Sequence, residues 1–246
     1  MKQTNLTILE NTRLADGIYR LRLAGDTSAI TAPGQFVNLK LSGFFLRRPI
    51  SVCDWDNGKL TLTLIYKVLG HGTEAMTSMA PGTELDVLTG LGNGFDVSRG
   101  GEHPLLVGGG VGIPPLYGLA KRLTAQGKRV TAVLGFNRKS EIFLAEEFRA
   151  LGAEVVIATA DGSAGLKGLV TDGMAAVSDY TYLYTCGPEP MLKAVYDACK
   201  TSGQFSFEER MGCGFGACMG CSCETKYGNK RICKDGPVLE KEEIVW

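Results

Sequence analysis

Several things are scarce in this chain, and each scarcity closes a door. No apolar run reaches the length of a membrane span, so a helical membrane protein is excluded. Basic and acidic residues balance at 26 each, for a formal net charge of zero. That argues against a nucleic-acid-binding face as the main function. Histidine occurs only twice, and His71, at a loop tip, reads as exposed rather than catalytic. No acid–base dyad is evident. The amino-terminal stretch Met1-Lys2-Gln3-Thr4-Asn5 leads into an alternating segment rather than an apolar signal-peptide core, which predicts a cytoplasmic protein. There is no internal repeat and no low-complexity tail.

What is present is ordinary in bulk and unusual in detail. The 246 residues suffice for two compact domains and a small appendage, with 44% hydrophobic and 21% charged residues. The 33 glycines exceed the usual share and gather in punctuated loops. Up to residue 100 the chain reads as short strands over Leu6–Leu9, Ile18–Leu23, Gln35–Leu41, Pro49–Cys53, Lys59–Tyr66 and Glu84–Leu88, with one helix over Thr73–Met79. Asp16-Gly17, Pro33-Gly34, Asn57-Gly58 and Pro81-Gly82 mark turns between them. Strands at this spacing predict a small antiparallel barrel.

From His103 the rhythm alternates. Strands are expected at Pro104–Val107, Val130–Gly135, Glu154–Thr159, Tyr182–Cys186 and Gln204–Glu208. Helices are expected up to Gln126 and over Glu141–Leu151, Leu169–Val177 and Glu189–Lys200, with Ser140 as an N-cap. This is the pattern of a doubly wound parallel sheet. The fold expected is thus multi-domain β and α/β, with units over residues 1–100, 101–208 and 209–246. Arg99-Gly-Gly-Glu102 reads as a linker at the first boundary.

Eight cysteines are present, five of them after residue 212. Cys213-x4-Cys218-x2-Cys221, with Cys233 further on, is the plant-type ferredoxin spacing for a [2Fe–2S] cluster. Gly212, Gly214, Gly216 and Gly220 let the backbone wrap closely and turn N–H groups inward. Zinc is the rival occupant, but its structural sites usually pair two C-x2–4-C units, whereas here three thiols are bunched and one stands alone. Cys223 reads as a non-ligand, because Cys221 keeps the x2 spacing. Cys53 and Cys199 read as buried thiols acting as small hydrophobes.

Two glycine-rich turns open at strand ends. Gly108-Gly-Gly-Val-Gly-Ile-Pro-Pro115 includes Gly109, Gly110 and Gly112, and Cys186-Gly187-Pro188 follows a later strand. Small residues there let backbone approach a pyrophosphate at a helix N-terminus, and ligands of open α/β sheets bind along that edge. The first turn is not G-x-G-x-x-G, and alone it is compatible with a plain tight turn. In the barrel half, Arg47-Arg48-Pro49-Ile50-Ser51 offers a guanidinium for a diphosphate, and Gly70-His-Gly72-Thr73 opens a helix.

In this order the motifs resemble the ferredoxin–NADP reductase superfamily. The appended Glu209-Arg-Met-Gly-Cys213 segment resembles the electron-transfer subunits of dihydroorotate dehydrogenase B, over essentially the whole chain. The resemblance implies FAD lined by Arg48, Pro49, Ile50 and Ser51, with Ile65, Tyr66 and Lys67 along its ring and ribityl chain and Gly72 and Thr73 at its phosphates. It implies a [2Fe–2S] cluster on Cys213, Cys218, Cys221 and Cys233. It also implies an FMN-containing catalytic partner, as a heterotetramer of two of each subunit, with no nucleic acid and no membrane involved. His71 stands where a lysine is expected, and Cys223 is an extra thiol. Asp161, after the Glu154–Thr159 strand, would repel a 2′-phosphate and accept from a ribose hydroxyl, so NAD is the expected nucleotide. NAD(H) exchanges a hydride and the cluster single electrons, so a flavin belongs between them. The alternatives are the small subunit of another NAD(P)-linked iron–sulfur flavoprotein, such as sulfide dehydrogenase or ferredoxin:NADP oxidoreductase, and a non-enzymatic metal-binding docking module.

Overall fold

The computed structural model describes all residues from Met1 to Trp246. Strands β1 (Lys2–Ala15), β2 (Ile18–Ala24), β3 (Phe36–Leu39), β4 (Arg48–Asp56), β5 (Thr61–Lys67) and β6 (Glu84–Leu91) close into a barrel in the order β1-β2-β5-β4-β3-β6. Every pairing in it is antiparallel. Period-two alternation sends Leu6, Ile8, Leu21, Leu23, Val37, Leu39, Leu62 and Leu64 inward to a common core. Each such side chain contributes about 1.5–3 kcal/mol of burial. Helix α1 (His71–Met76) interrupts the barrel before β6 and buries Met76 in the same core.

A parallel sheet follows. It is built from β7 (Pro104–Gly109), β8 (Thr131–Phe136), β9 (Glu154–Thr159), the short β10 (Leu166–Lys167), β11 (Tyr182–Cys186) and β12 (Gly203–Ser206). Helices α2 (Ile113–Ala125), α3 (Ala145–Ala150), α4 (Val170–Ala175) and α5 (Glu189–Ala198) make the crossovers. After a two-stranded ribbon of β13 (Ser222–Cys223) and β14 (Lys230–Arg231), the chain returns as β15 (Val238–Glu240). The sheet order is β10-β9-β8-β7-β11-β12-β15, with β15 antiparallel to β12.

Helix α2 packs against β4 and so joins barrel to sheet. Gly118 makes this possible, since a Cβ there would lie 2.6 Å from the Cys53 carbonyl oxygen. Lys121 donates to Asp54 at 2.6 Å, and the Arg122 guanidinium lies 3.6 Å from the centre of the Trp55 ring.

Two sequence expectations fail locally. Ser140 does not cap a helix. It sits in a single 3₁₀ turn, and α3 begins only at Ala145, after Leu144 adopts a φ of 62°. Phe143 and Leu144 are buried there, so tertiary packing overrides the local capping signal. The stretch expected as one strand to Glu208 stops as a strand at Ser206, opposite Val238, the first residue of β15.

Candidate redox cofactor site

Seven of the residues expected to hold a flavin line one cavity of ≈ 220 Å³: Pro49, Ile50 and Ser51 of β4, Ile65, Tyr66 and Lys67 of β5, and Thr73 of α1. Strand pleating divides their roles. Tyr66 points its ring into the barrel core, stacks on Tyr19 and donates its hydroxyl to Asn11 at 3.1 Å. Burial raises its pKa to about 12. Tyr66 can therefore present mainly its main chain to the cavity.

The two arginines also separate. Arg47 is bidentate on Asp86 (2.9 and 3.0 Å) and donates to the Asn38 carbonyl, so it fastens β3 to β6. Arg48 lies over Gly72, where a Cβ would fall 2.1 Å from its Nε, and its guanidinium sits 4.8 Å from the Phe44 ring centre. Arg48 and Gly72 are thus brought together next to the cavity residues Pro49 and Thr73, although neither of the two lines the cavity itself. The Thr73 hydroxyl is already engaged: it accepts from Leu69 and Gly70 N–H groups at 2.9 and 3.2 Å and donates to the Gly70 carbonyl at 3.0 Å.

The glycine turns meet at the carboxyl ends of the adjacent strands β7 and β11. A Cβ on Gly112 would lie 2.2 Å from the Cys186 carbonyl oxygen and 2.6 Å from the Gly187 nitrogen. A Cβ on Gly109 would strike Met191 Sδ at 2.5 Å. Gly110, with φ 52°, has open space above it. Cys186 is buried, and burial pushes its thiol up to about 12. Pro188 flanks the turn and lines a second cavity of ≈ 450 Å³ with Gly187, Glu189, Cys223 and Trp246. Asp161 stands on the same sheet edge, two strands from β7. Its carboxylate accepts from the Ser163 hydroxyl and N–H at 2.6 and 2.9 Å, which lowers its pKa.

The sequence reading missed the wall where these cavities join. Phe207, Glu208 and Glu209 line both, and Phe36, Leu69, Val111, Ser206, Met211 and Pro237 complete the first. The signal was available in part, since Glu208 and Glu209 lie just beyond the carboxyl end of a strand of the sheet, β12. Glu208 faces the open cleft, yet loss of surrounding solvent raises its carboxyl pKa.

The four thiols expected to hold a cluster, Cys213, Cys218, Cys221 and Cys233, fall into two pairs. Cys213 and Cys218 exchange contacts, each backbone N–H lying 3.4 Å from the other's sulfur, and the Cys233 N–H lies 3.4 Å from Cys221 Sγ. Burial pushes the Cys213 thiol up, but N–H groups of Phe215, Cys218 and Ala217 aimed at its sulfur outweigh that and bring it down to about 6. Cys221 and Cys233 are each 2% exposed, and burial beside Cys221 raises Cys233 to about 12. No group of three or more His, Cys, Asp or Glu side chains is placed to hold one ion. A two-by-two set of soft donors with N–H groups on the sulfur fits a two-iron centre better than a single tetrahedral zinc. Cys223 lies apart, lining the second cavity. Phe215 and Met219 of the same loop are 43% and 53% exposed.

Comparison with known proteins agrees with this layout. Residues 208–245 match the family profile described as the iron–sulfur cluster binding domain of dihydroorotate dehydrogenase B, and residues 106–197 match the oxidoreductase NAD-binding domain. The dihydroorotate dehydrogenase B (NAD(+)) electron transfer subunit of Geobacillus sp. is 46% identical, covering 100% of this chain and 99% of the relative. That of Fusobacterium nucleatum is 41% identical over 99% of both chains. Among solved structures, an NADH-dependent reduced ferredoxin-NADP oxidoreductase, described in the context of flavin-based electron bifurcation, superposes with a TM-score of 0.90 at 30% identity, covering 98% of this chain and 90% of its own. A ferredoxin NADP+ reductase from Neisseria gonorrhoeae with bound FAD and NADP shares the fold, with a TM-score of 0.70 at 18% identity, covering 80% and 90%. At this identity and full-length coverage, the chain belongs to the family of dihydroorotate dehydrogenase B electron transfer subunits.

Proposed function

We propose that this chain is the electron transfer subunit of an NAD-dependent dihydroorotate dehydrogenase in pyrimidine biosynthesis, linking an FMN-containing catalytic subunit to NAD. The observation that carries this reading is the composition of the first cavity. Barrel strands supply Pro49, Ser51 and Ile65, the nucleotide turn supplies Val111, and the approach to the cysteine loop supplies Met211. A flavin seated there touches the element that would hold NAD and the segment leading to the cluster.

When bound, FAD interconverts hydride and single-electron transfer, the [2Fe–2S] cluster carries one electron, and NAD accepts hydride. The residues of the chain bind, orient and shield. Arg48 neutralises the diphosphate at the rim, and Pro49, Ile50 and Ser51, with the edge of β5 from Ile65 through Tyr66 to Lys67, bound the ring. Gly72 clears space for the Arg48 guanidinium, and Thr73 acts mainly as the cap of α1. Gly110 leaves room above the β7 turn for a pyrophosphate, while Gly109 and Gly112 let that turn seat against Cys186, Gly187 and Pro188. Asp161, held ionised by Ser163, disfavours a 2′-phosphate and so favours NAD. Cys213 and Cys218 would hold one iron of the cluster, and Cys221 and Cys233 the other.

The exposed apolar side chains of Phe215 and Met219 suit a partner face, because electron tunnelling needs short gaps. The assembly proposed is two of each subunit, in the cytoplasm. No helix is long and apolar enough to cross a membrane. The units proposed are residues 1–100 for FAD, 101–208 for NAD and 209–246 for the cluster, with Val238–Glu240 of the last unit completing the sheet edge of the second.

Purification of the native complex with cofactor analysis tests this. The complex should yield FAD, FMN, iron and acid-labile sulfide, and the isolated chain should oxidise NADH with artificial acceptors but leave dihydroorotate untouched. A lone chain that converts dihydroorotate to orotate, or anaerobically handled material lacking iron and sulfide, refutes the reading.

A further inference from the structure

Asn38 is a buried polar residue that the proposed roles leave unused. It is 1% exposed and lies on β3 opposite Pro49, and alternation along the strand puts it on the same face as Phe36. Val37 and Leu39 on either side point into the barrel core, whereas Phe36 packs outward with Ile232, Cys221 and Cys233. Asn38 therefore projects from the barrel toward the cysteine loop. Its Nδ2 donates to the Cys213 carbonyl at 3.4 Å, and its Oδ1 has no partner. Turning the amide over would set two oxygens against each other, so the donor end is the one that faces Cys213.

The loop is shaped around this contact. Gly214, with φ 76°, leaves no room for a side chain, since a Cβ would lie 2.3 Å from Asn38 Nδ2. From the other side the Asn38 carbonyl accepts from Arg47, itself held by Asp86. A buried amide left half unsatisfied is uncommon, and a residue present only for packing would not need it.

We infer that Asn38 is a positioning residue for the iron–sulfur cluster, tying the Cys213 ligand to the flavin barrel and turning the positive end of its amide dipole toward the cluster. This rests on the cluster reading above. The dipole favours the added negative charge of the reduced centre, so the amide raises the cluster's midpoint potential. The amide meets Cys213 and the Gly214 turn, and Asn38 does not line the cavity proposed for the flavin, so the flavin potential does not depend on it.

The test uses the full chain with both cofactors, and the readouts are spectroscopic: iron, sulfide and flavin content, the electron paramagnetic resonance spectrum of the reduced cluster, and midpoint potentials of cluster and flavin. Asn38→Leu removes the donor at similar volume, and Asn38→Asp replaces it with a negative charge. The cluster midpoint should move negative in Asn38→Leu and further in Asn38→Asp, where the reduced-to-oxidised ratio at fixed ambient potential falls about tenfold, or about 59 mV for one electron. The flavin midpoint should stay in place. Loss of iron with flavin retained also supports the inference, since the loop would have lost its anchor. An unmoved cluster potential and spectrum in both variants overturns it, as does an equal shift of flavin and cluster. A parent protein without iron and sulfide would instead refute the cluster reading itself.

Discussion

Gly112→Ala separates two reasons for a glycine turn that sequence alone merges. The backbone at Gly112 is helical, with φ −76° and ψ −13°, so alanine meets no conformational penalty there. The obstacle is contact: its Cβ would lie 2.2 Å from the Cys186 oxygen, 2.4 Å from the Cys186 carbonyl carbon and 2.6 Å from the Gly187 nitrogen. All three are main-chain atoms, so relief requires moving the end of β7 away from the end of β11 rather than rotating a side chain. Overpacking of this kind costs about 1–3 kcal/mol, and a purely main-chain clash belongs at the upper end. The neighbouring Gly110 is the control. Nothing lies within 4 Å of its added Cβ, but its φ is 52°. Alanine there costs about 1–2 kcal/mol from left-handed geometry alone. Denaturant unfolding of the two holoproteins, followed by flavin fluorescence, should therefore rank Gly112→Ala as the less stable by at least about 1 kcal/mol. Nucleotide binding should be impaired in both, in Gly112→Ala through splayed turns and in Gly110→Ala through filled space. A Gly112→Ala protein as stable as its parent, or one less affected than Gly110→Ala, would sink the reasoning.

Three further outcomes follow from the same geometry. Arg48→Ala should weaken FAD binding about 10- to 100-fold, matching the ~1.5–3 kcal/mol of charge-assisted hydrogen bonds, with Arg48→Lys recovering only part; flavin retention on gel filtration measures it. Cys223→Ser should keep its full iron and sulfide content, whereas Cys221→Ser should lose the cluster's visible absorption. Asp161→Ala should narrow the preference for NADH over NADPH by about fivefold or more, since repulsion between nearby like charges is worth ~1–4 kcal/mol between bulk-water and surface dielectric values; the ratio of kcat/KM values decides it.

What the sequence disclosed and withheld follows from the range of the forces involved. Alternation in segments such as Arg20–Leu23 and Thr61–Leu64 reports a local property, the two faces of a strand, and the barrel was legible from it, while the parallel sheet was legible from the succession of apolar strands and helices after His103. Cysteine spacing is equally local. Contacts set by tertiary approach were not legible. Ser140 carries a capping signal that the burial of Phe143 and Leu144 overrides. Thr73 looked like a phosphate ligand, yet its hydroxyl closes a cap on Leu69 and Gly70. The three glycines of the first nucleotide turn looked alike, although one faces open space, one faces Met191 and one faces main chain. Tyr66 was placed along the flavin by resemblance and does line the cavity, but that its ring belongs to the barrel core was not legible.

The return of the chain at β15 explains how the cysteine loop is held at a fixed place. Ser206, the last residue of β12, pairs with Val238, the first of β15, and the Phe207 N–H donates to the Pro237 carbonyl at 2.9 Å. The whole excursion from Phe207 to Pro237 therefore leaves and re-enters the sheet at one point. Its two ends, Phe207 and Pro237, both line the flavin cavity. Asn93 reinforces the closure from the barrel side, donating to the Val238 carbonyl at 2.8 Å and accepting from the Val238 N–H at 3.1 Å. A loop pinned at both ends has little freedom to change its distance from the cavity that its own ends enclose. Electron transfer falls steeply with distance, so with the cofactors placed as proposed above this closure would set the cluster-to-flavin gap through sheet pairing, while the cysteines would need only to arrange the irons. The tail after the last cysteine is then as much a part of the electron path as the ligands are, because without it one end of the loop comes loose.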